Sequence, residues 1–217
     1  MIQGMILYAD VGGTHVRAWT MGKGKVSELV IGLRGVWTAS EKSFWKRKLR
    51  RIAPAITVLS DIELAHHLAF GKGTGIVLNA GTGSIAFGRN ARGKTARAGG
   101  LGPLVGDEGS AFWLGREYLK RRYQMTPEVN GVRSYVTGPK PAAQIAALAK
   151  KVLKIAERKP QSFERAIVRK AFVHLHDLVK ETRTKLRLPL SAPVALTGGL
   201  FENRFFNKQW RRFLSRA

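Results

Sequence analysis

The chain has 217 residues, no cysteine and a formal net charge of +24, from 38 Lys and Arg against 14 Asp and Glu. The absence of cysteine excludes disulfides, thiol catalysis and cysteine-ligated clusters. No apolar run reaches the ~18 residues of a membrane-spanning helix, and no secretory signal pattern is visible near the N-terminus. We therefore expect a cytoplasmic protein without a membrane partner.

The basic residues are spread along the chain, and the densest groups lie on or beside predicted helices, at Lys46–Lys48, Lys120–Arg122 and Arg211-Arg212. A charge run on a helix is usually a solvated face. Two explanations of the charge stay open: a generally basic set of proteins in the source organism, or a specific anionic partner. Dispersed Lys and Arg attract nucleic acid through counterion release, so we predict only non-specific nucleic-acid binding.

Residues 1–70 are predicted to form a small N-terminal α/β domain. Apolar and alternating runs predict strands, and helices are predicted where apolar positions follow a helical period. Gly22-Lys23-Gly24 is predicted to be the turn of a hairpin between the second and third strands. The predicted strands are Met5–Ala9, Val16–Met21, Lys25–Ile31 and Ala55–Leu59, and the predicted helices are Glu41–Arg51 and Ile62–Phe70.

Residues 71–217 are predicted to form a larger domain, strand-rich at first and then helical. A strand, a glycine turn and a hairpin occur in both domains, and residues 90–93 are predicted to be the turn of the second hairpin. The repetition suggests an internal duplication with two like domains facing each other. Met125–Lys140 is predicted to be a loop, and the last helix to pack back on the N-terminal domain. The predicted strands are Gly75–Asn79, Ser84–Arg89, Lys94–Ala98 and Val194–Leu196; the helices are Gly106–Tyr123, Ala142–Arg158, Phe163–Leu186 and one from about Asn203.

Three glycine-rich turns each follow an apolar strand, at Asp10–Thr14, Asn79–Ser84 and Leu196–Leu200. Glycine lets the backbone approach an anion closely, and turned N–H groups form a concave site for phosphate. Two such turns, with a carboxylate at the mouth of one, predict a nucleotide held between two half-sites. The alternatives are tight hairpin turns for the first two and a simple strand-to-helix turn for the third.

Together these segments resemble the actin-like sugar-kinase superfamily, and more closely the BadF/BadG/BcrA/BcrD-type ATPase and N-acetylglucosamine kinase family. The matching segments run from Asp10 to Gly199, nearly the whole chain. Ala80–Ser84 and Gly106–Ser110 are the specific ones; Asp10–Thr14, Ser60-Asp61 and Thr197–Gly199 are weaker alone. The resemblance implies an α/β protein with the two-lobed actin-like ATPase (ribonuclease H-like) fold and a central nucleotide and sugar cleft.

The resemblance also implies ATP and Mg²⁺ as cofactors. Asp10 would organise Mg²⁺, which needs only one or two carboxylates beside the phosphates. The nucleotide would be held by glycines and hydroxyls of the three turns. These residues are Gly12, Gly13, Thr14, Gly81, Thr82, Gly83, Gly198 and Gly199.

For the sugar, the resemblance assigns the general base to Asp61 and sugar contacts to Asp61, Ser84 and Asp107. A carboxylate within reach of the attacking hydroxyl can take its proton. The alternative for Asp61 is a helix N-cap. Asp107 and Glu108 alternatively decorate the first turn of a helix, where negative charge suits the dipole.

The resemblance thus implies ATP-dependent phosphorylation of an amino sugar, at the 6-hydroxyl of N-acetylglucosamine or of a relative such as N-acetylmuramic acid. A homodimer with a small-molecule sugar substrate is expected. The second hypothesis is a catalytically reduced, ATP-binding regulatory or nucleic-acid-associated module, because the chain is short for the family and strongly basic.

Overall fold

A computed structural model describes residues 4–11, 16–125 and 129–216. The chain divides into two compact units, Met1–Lys72 and Gly73–Ala217. The division falls two residues after the boundary expected from the sequence. No helix within the described residues is long and apolar enough to cross a membrane.

The first unit is a four-stranded sheet with two helices. Its strands lie in the order β2-β1-β3-β4; β1 pairs antiparallel with β2 and parallel with β3, and β3 pairs parallel with β4. The elements are β1 (Met5–Val11), β2 (Val16–Met21), β3 (Val26–Leu33), α1 (Ala39–Leu49), β4 (Ala55–Ser60) and α2 (Asp61–Phe70).

The predicted hairpin between the second and third strands is wrong, because β1 lies between β2 and β3. Burial explains the order. Every residue from Leu29 to Leu33 is buried, whereas β2 is exposed at all positions except the half-buried Trp19. The apolar strand therefore takes an interior place in the sheet, and the polar strand takes the edge.

Helix α2 packs closely on β3 through Gly32. A Cβ at Gly32 would lie 2.7 Å from Cδ2 of Leu64, so a larger residue would push the helix away from the sheet. Leu64 is buried beside Tyr8 and Val30. This contact fixes the start of α2 at the carboxyl ends of the parallel strands.

The second unit has a four-stranded sheet in the order β7-β6-β5-β8, followed in sequence mostly by helices. Strand β5 pairs antiparallel with β6 and parallel with β8. The elements are β5 (Gly75–Ala80), β6 (Ser84–Arg89), β7 (Thr95–Gly99), α3 (Ala111–Met125), α4 (Val129–Thr137), α5 (Pro141–Ala147), α6 (Ala149–Arg158), α7 (Phe163–Leu186), β8 (Val194–Thr197), α8 (Gly199–Glu202) and α9 (Arg204–Leu214).

Both sheets contain the same three-strand arrangement. In each, a central strand (β1 or β5) lies between its antiparallel hairpin partner and a parallel strand from later in the unit. The hairpin predicted at 90–93 is confirmed, since β6 and β7 pair antiparallel across it. The shared arrangement supports the internal duplication suggested by the sequence.

Three predicted boundaries in the helical region are wrong. Helix α3 begins at Ala111 rather than Gly106, and the predicted loop 125–140 contains α4, which includes Gly131 and ends before Gly138. The predicted helix 142–158 is two helices that meet at Leu148, whose N–H bonds to the carbonyl of Ile145. Helix α5 crosses α3 so closely that a Cβ at Gly115 would overlap the Ile145 carbonyl.

The core of the second unit forms around α7. On α7, a stripe formed by Ile167, Ala171 and Leu175 is buried against the sheet and neighbouring helices. Helix α9 adds Phe206 and Trp210, which are fully buried in the same core. The apolar face of the last helix therefore serves the second unit, and its packing on the first unit stays a prediction.

Candidate functional site

Two of the predicted acidic residues meet at one edge of the first sheet. Asp10 is at the end of β1, level with Gly32 on β3, and Asp61 directly follows β4. Because β1, β3 and β4 are parallel, their carboxyl ends share this edge, where ligands bind in open α/β sheets. The predicted phosphate-binding residues Gly12, Gly13 and Thr14 lie outside the described residues.

The electrostatics of this edge are unfavourable for two ionised carboxylates. Burial raises the pKa of Asp10 above its ordinary value of 3.8, the negative charge of Asp61 raises it further, and Arg17 on β2 opposes the shift. Asp10 therefore lies in a site where a bound cation would relieve the repulsion.

A magnesium ion fits this donor set. Mg²⁺ prefers oxygen ligands, keeps several waters, and is usually bound by one or two carboxylates together with substrate phosphates. No cluster of three His, Cys, Asp or Glu side chains occurs among the residues described, so an all-protein cage is not built there. The two carboxylates match a metal that arrives with a nucleotide.

The interpretation of Asp61 as an N-cap is wrong, because Ser60 caps α2. Ser60 Oγ accepts a hydrogen bond from the Glu63 N–H at 3.3 Å, and Glu63 accepts one from the Ser60 N–H at 2.7 Å. Lys42 of α1 pairs with Glu63 at 2.7 Å and braces this cap. Asp61 is the first residue of the helix, and its Oδ1 accepts a hydrogen bond of 2.8 Å from the Ile62 N–H. The helix dipole stabilises a carboxylate at this position.

In the second unit, the glycine turn between β5 and β6 is tied to the start of α3. The Gly81 N–H donates to the Gly83 carbonyl at 2.9 Å. The Gly81 and Thr82 carbonyls accept from the N–H groups of Ala111 and Phe112 at 2.9 and 3.2 Å. These bonds satisfy N–H groups that a helix start leaves without intrahelical partners, and they hold the turn in one conformation.

The Gly106–Ser110 segment packs behind this turn. A Cβ at Gly83 would lie 2.7 Å from Oδ2 of Asp107, so only glycine allows the carboxylate to approach. The Ser84 N–H donates to Asp107 Oδ1 at 3.3 Å, and Ser84 Oγ donates to the Glu108 carbonyl at 2.7 Å. Ser84 and Asp107 are both buried. Their sugar contacts stay a prediction; the structure places both as supports of the glycine turn.

The alternative that Asp107 and Glu108 lie in the first turn of a helix is wrong. Both residues precede α3, and Ser110 Oγ accepts from the Trp113 N–H at 3.1 Å in the manner of an N-cap. Asp107 has a φ of 63°. A non-glycine residue in this left-handed region is uncommon, and such strain clusters at functional sites.

The third glycine turn lies at the same edge of the second sheet as the Gly81–Gly83 turn. Thr197 is level with Asn79 in the parallel pair of β8 and β5. Gly198 has a φ of 96°, and a Cβ there would lie 2.6 Å from both the Ala80 carbonyl and Asn79 Oδ1. A Cβ at Gly199, by contrast, would meet no atom within 4 Å. Asn79, a polar residue near the end of an apolar strand, therefore lies close to Gly198 as well as to its own turn, a position that the sequence did not predict.

This contrast gives a stability prediction. We expect Gly198→Ala to lower the free energy of unfolding by at least about 2 kcal/mol, since it combines backbone overlap with left-handed strain. Gly199→Ala is the matched control one residue away and should change stability by less than about 1 kcal/mol, in the stabilising direction. Urea unfolding followed by far-UV circular dichroism measures both. Equal losses in the two variants would contradict the close packing of Gly198 on β5.

Three further aromatic and histidine residues, Trp37, His66 and His174, have structural contacts. The Trp37 N–H donates to Glu41 Oε2 at 2.9 Å, within the capping box that starts α1. His66 packs on Phe70, and His174 packs on the buried Trp113.

Comparisons with known proteins identify the family. The sequence profile of the BadF/BadG/BcrA/BcrD ATPase family matches residues 19–217. An N-acetylmuramic acid/N-acetylglucosamine kinase of Clostridium acetobutylicum is 38% identical over 96 residues, 43% of this chain and 31% of the relative. An N-acetyl-D-glucosamine kinase of Dictyostelium discoideum is 30% identical over 213 residues, 82% of this chain and 64% of the relative. The matched part of the chain thus spans less than two thirds of either curated relative.

Solved structures show the fold. A structure from Porphyromonas gingivalis assigned as an N-acetylglucosamine kinase aligns with a TM-score of 0.72 at 17% identity, covering 97% of this chain and 91% of that one. A structure from Chromobacterium violaceum with the same assignment aligns with a TM-score of 0.67 at 21% identity, covering 97% and 90%. The predicted α/β fold of actin-like sugar kinases is confirmed.

Proposed function

Because this chain belongs to the BadF/BadG/BcrA/BcrD ATPase family, we propose that it is an ATP-dependent amino-sugar kinase. The observation that carries the proposal is the pair of carboxylates, Asp10 and Asp61, at the carboxyl edge of the first sheet. One carboxylate suits a metal ion and the other suits a general base, which are the two acidic roles that phosphoryl transfer to an alcohol requires.

Asp61 is proposed as the general base. As the sugar hydroxyl oxygen forms its bond to the γ-phosphorus, the bond from that phosphorus to the bridging oxygen of ADP breaks. The hydroxyl proton passes to the Asp61 carboxylate. Since Ser60 provides the helix cap, Asp61 has no capping duty that would conflict with this role.

Asp10 is proposed to hold Mg²⁺ directly or through water. The ion, when bound with ATP, neutralises charge that develops on the phosphates. Its positive charge would also offset the burial and the Asp61 repulsion that raise the pKa of Asp10.

Nucleotide contacts are also proposed for the second unit. In the Gly81–Gly83 turn, the Thr82 and Gly83 N–H groups would donate to phosphate, with Asp107 and Ser84 supporting the turn from behind. Gly199, which has open space where its side chain would be, is the proposed contact of ribose and adenine. We expect Gly199→Ala to weaken ATP binding in calorimetry without lowering stability. Unchanged ATP affinity would contradict the proposed contact of Gly199 with ribose and adenine.

The substrate is proposed to be N-acetylglucosamine or its acidic relative N-acetylmuramic acid, phosphorylated at the 6-hydroxyl. The names of the two curated relatives support this class. Arg34 is exposed directly after β3, and its N–H bonds to the Val11 carbonyl at the edge that carries Asp10. An arginine fork there suits the lactyl carboxylate of N-acetylmuramic acid.

We expect Arg34→Gln to lower kcat/KM for N-acetylmuramic acid by about tenfold relative to its effect on N-acetylglucosamine, the scale of one charge-assisted contact. Arg51→Gln, at another exposed arginine of the first unit, is the control. If Arg34→Gln changes kcat/KM equally for both sugars, the proposal of an acidic substrate is contradicted, while the kinase proposal is unaffected.

The kinase proposal is tested with purified protein, ATP, Mg²⁺ and a panel of amino sugars. The expected result is ADP release that depends on the sugar, with the phosphorylated sugar identified by mass spectrometry. ATP binding without sugar-dependent ADP release would favour the catalytically reduced ATP-binding module instead.

Nucleic-acid binding is proposed to be non-specific. Affinity should fall steeply as salt rises, because the +24 charge acts through counterion release. Tight, selective binding at ~150 mM salt would contradict this. The homodimer stays a prediction, which light scattering tests.

A further inference from the structure

Four arginines of the second unit line one open cavity of about 570 Å³. Arg165 and Arg169 lie one helical turn apart on α7, and Arg212 and Arg216 have the same spacing at the end of α9 and just beyond it. Residues four apart share one face of a helix. The two chain segments therefore each direct a pair of cations to the same space, which we call the arginine cavity.

No acidic side chain lines the cavity among the residues that the structure describes. Besides the four arginines, those lining residues are Phe172, Gln209 and Phe213. The ion pairs found among the described residues join Lys42 to Glu63, Arg116 and Lys120 to Glu117, and Lys185 to Glu181. None of them involves the four arginines.

Arg165 is held in place by the fold. Its guanidinium donates to the Ala156 carbonyl at 3.1 Å and to Gln209 Oε1 at 2.9 Å, and it lies 4.9 Å from the centre of the Phe205 ring. Burial lowers the pKa of Arg165, and the charges of Arg169 and Arg212 lower it further. The fold thus maintains mutual repulsion among these cations, which a bound anion would offset.

The composition of the cavity indicates the class of anion. Arginine forks bind phosphate oxygens in pairs. The half-buried ring of Phe213, whose centre lies 5.8 Å from that of the buried Phe172 ring, adds an apolar wall that inorganic phosphate would not use. The volume is within the range of small-molecule sites.

We propose that the arginine cavity binds a small organic phosphate, with the phosphate on the arginines and the organic part against the Phe213 ring. The cavity shares no residue with Asp10, Asp61 or the glycine turns. The site is therefore additional to the proposed kinase site and does not depend on it.

Calorimetry at ~150 mM salt, without ATP, tests the proposal. The probes are glucosamine 6-phosphate, AMP and inorganic phosphate. We expect at least one of the two organic phosphates to bind about tenfold more tightly than inorganic phosphate. Whichever of the two organic phosphates binds more tightly shows whether the ligand is a sugar phosphate or a nucleotide. Absence of saturable binding by both, or equal binding of inorganic phosphate, would overturn the proposal.

A charge-matched pair of variants locates the binding. The double variant Arg169→Gln/Arg212→Gln should lower the affinity for the organic phosphate by about tenfold or more. This is the loss expected when charge-assisted hydrogen bonds are removed. Lys180→Gln/Lys208→Gln removes the same charge from exposed positions of α7 and α9 outside the cavity and should change affinity less than about twofold. Equal weakening in both would show general attraction to a basic surface and refute the site.

Thermal unfolding of the ligand-free variants checks that the fold is kept. All four substituted side chains are exposed, so the core should be unaffected. Arg216→Gln, beyond the end of α9, gives a second test outside any helix interior. Arg216→Gln should also lower the affinity for the organic phosphate. Unchanged affinity in both this variant and Arg169→Gln/Arg212→Gln would overturn the proposal.

Discussion

Asp61→Asn should reduce turnover by ~10²–10⁴-fold while leaving ATP affinity near that of the unchanged protein, because the amide cannot accept the hydroxyl proton. The substitution is conservative at this position. Asn keeps the Oδ1 that accepts from the Ile62 N–H, and the helix cap belongs to Ser60. Loss of turnover would therefore report the chemistry of the carboxylate rather than damage to α2.

The measurement is sugar-dependent ADP release with kcat and KM resolved, together with calorimetric ATP binding. Asp177→Asn is the matched control, since Asp177 is exposed on α7 and lies outside the proposed site. A turnover in Asp61→Asn that equals that of the control would end the assignment of Asp61 as general base.

Asp10→Asn should lower turnover by at least about 10²-fold, the usual cost of removing one group that stabilises charge in the transition state. It should also raise the Mg²⁺ concentration needed for activity, which Asp61→Asn should change less. Mg²⁺ titration of the rate at fixed ATP measures this. An unchanged rate with an unchanged Mg²⁺ requirement would contradict a metal role for Asp10.

The same substitution should stabilise the ligand-free protein at neutral pH. In the folded chain, burial and Asp61 disfavour the ionised form of Asp10 more than Arg17 favours it, so the pKa is raised. A raised carboxyl pKa means that the folded state binds more protons than the unfolded state, and stability is lost as pH rises through that pKa. The advantage of Asp10→Asn should therefore be largest above the raised pKa and disappear as pH falls towards 3.8.

Urea unfolding of Asp10→Asn and of the unchanged protein across this pH range tests the sign. Asp177→Asn, at an exposed carboxyl, should show no such pH-dependent gain. Greater stability together with lost activity would mark Asp10 as a residue kept for function at a cost in stability. Lower stability of Asp10→Asn at neutral pH would contradict the proposed repulsion.

Much of the local structure follows from the sequence because short-range rules decide it. The alternation and apolar runs of β1 and β5 predict strands, and the long apolar stripe of α7 predicts a helix and its buried face. The five motif segments between Asp10 and Gly199, of which Ala80–Ser84 and Gly106–Ser110 are the most specific, predict the family and the α/β fold. Local hydrogen bonding, however, left a choice at Ser60-Asp61, since both residue types cap helices well, and the Glu63 and Lys42 contacts favour Ser60.

The sequence by itself determined which residue types are available for phosphate, metal and proton chemistry, and that cysteine chemistry is excluded. Only the tertiary structure decided which of them meet. The place of β1 between β2 and β3 depends on burial of the whole sheet, and it brings Asp10 to the edge that carries Asp61. The approach of Asp107 to Gly83 likewise depends on packing between segments far apart in sequence. Hydrophobic periodicity depends only on residues that are close together in the sequence. These contacts between distant segments depend instead on side-chain volumes and desolvation across the fold.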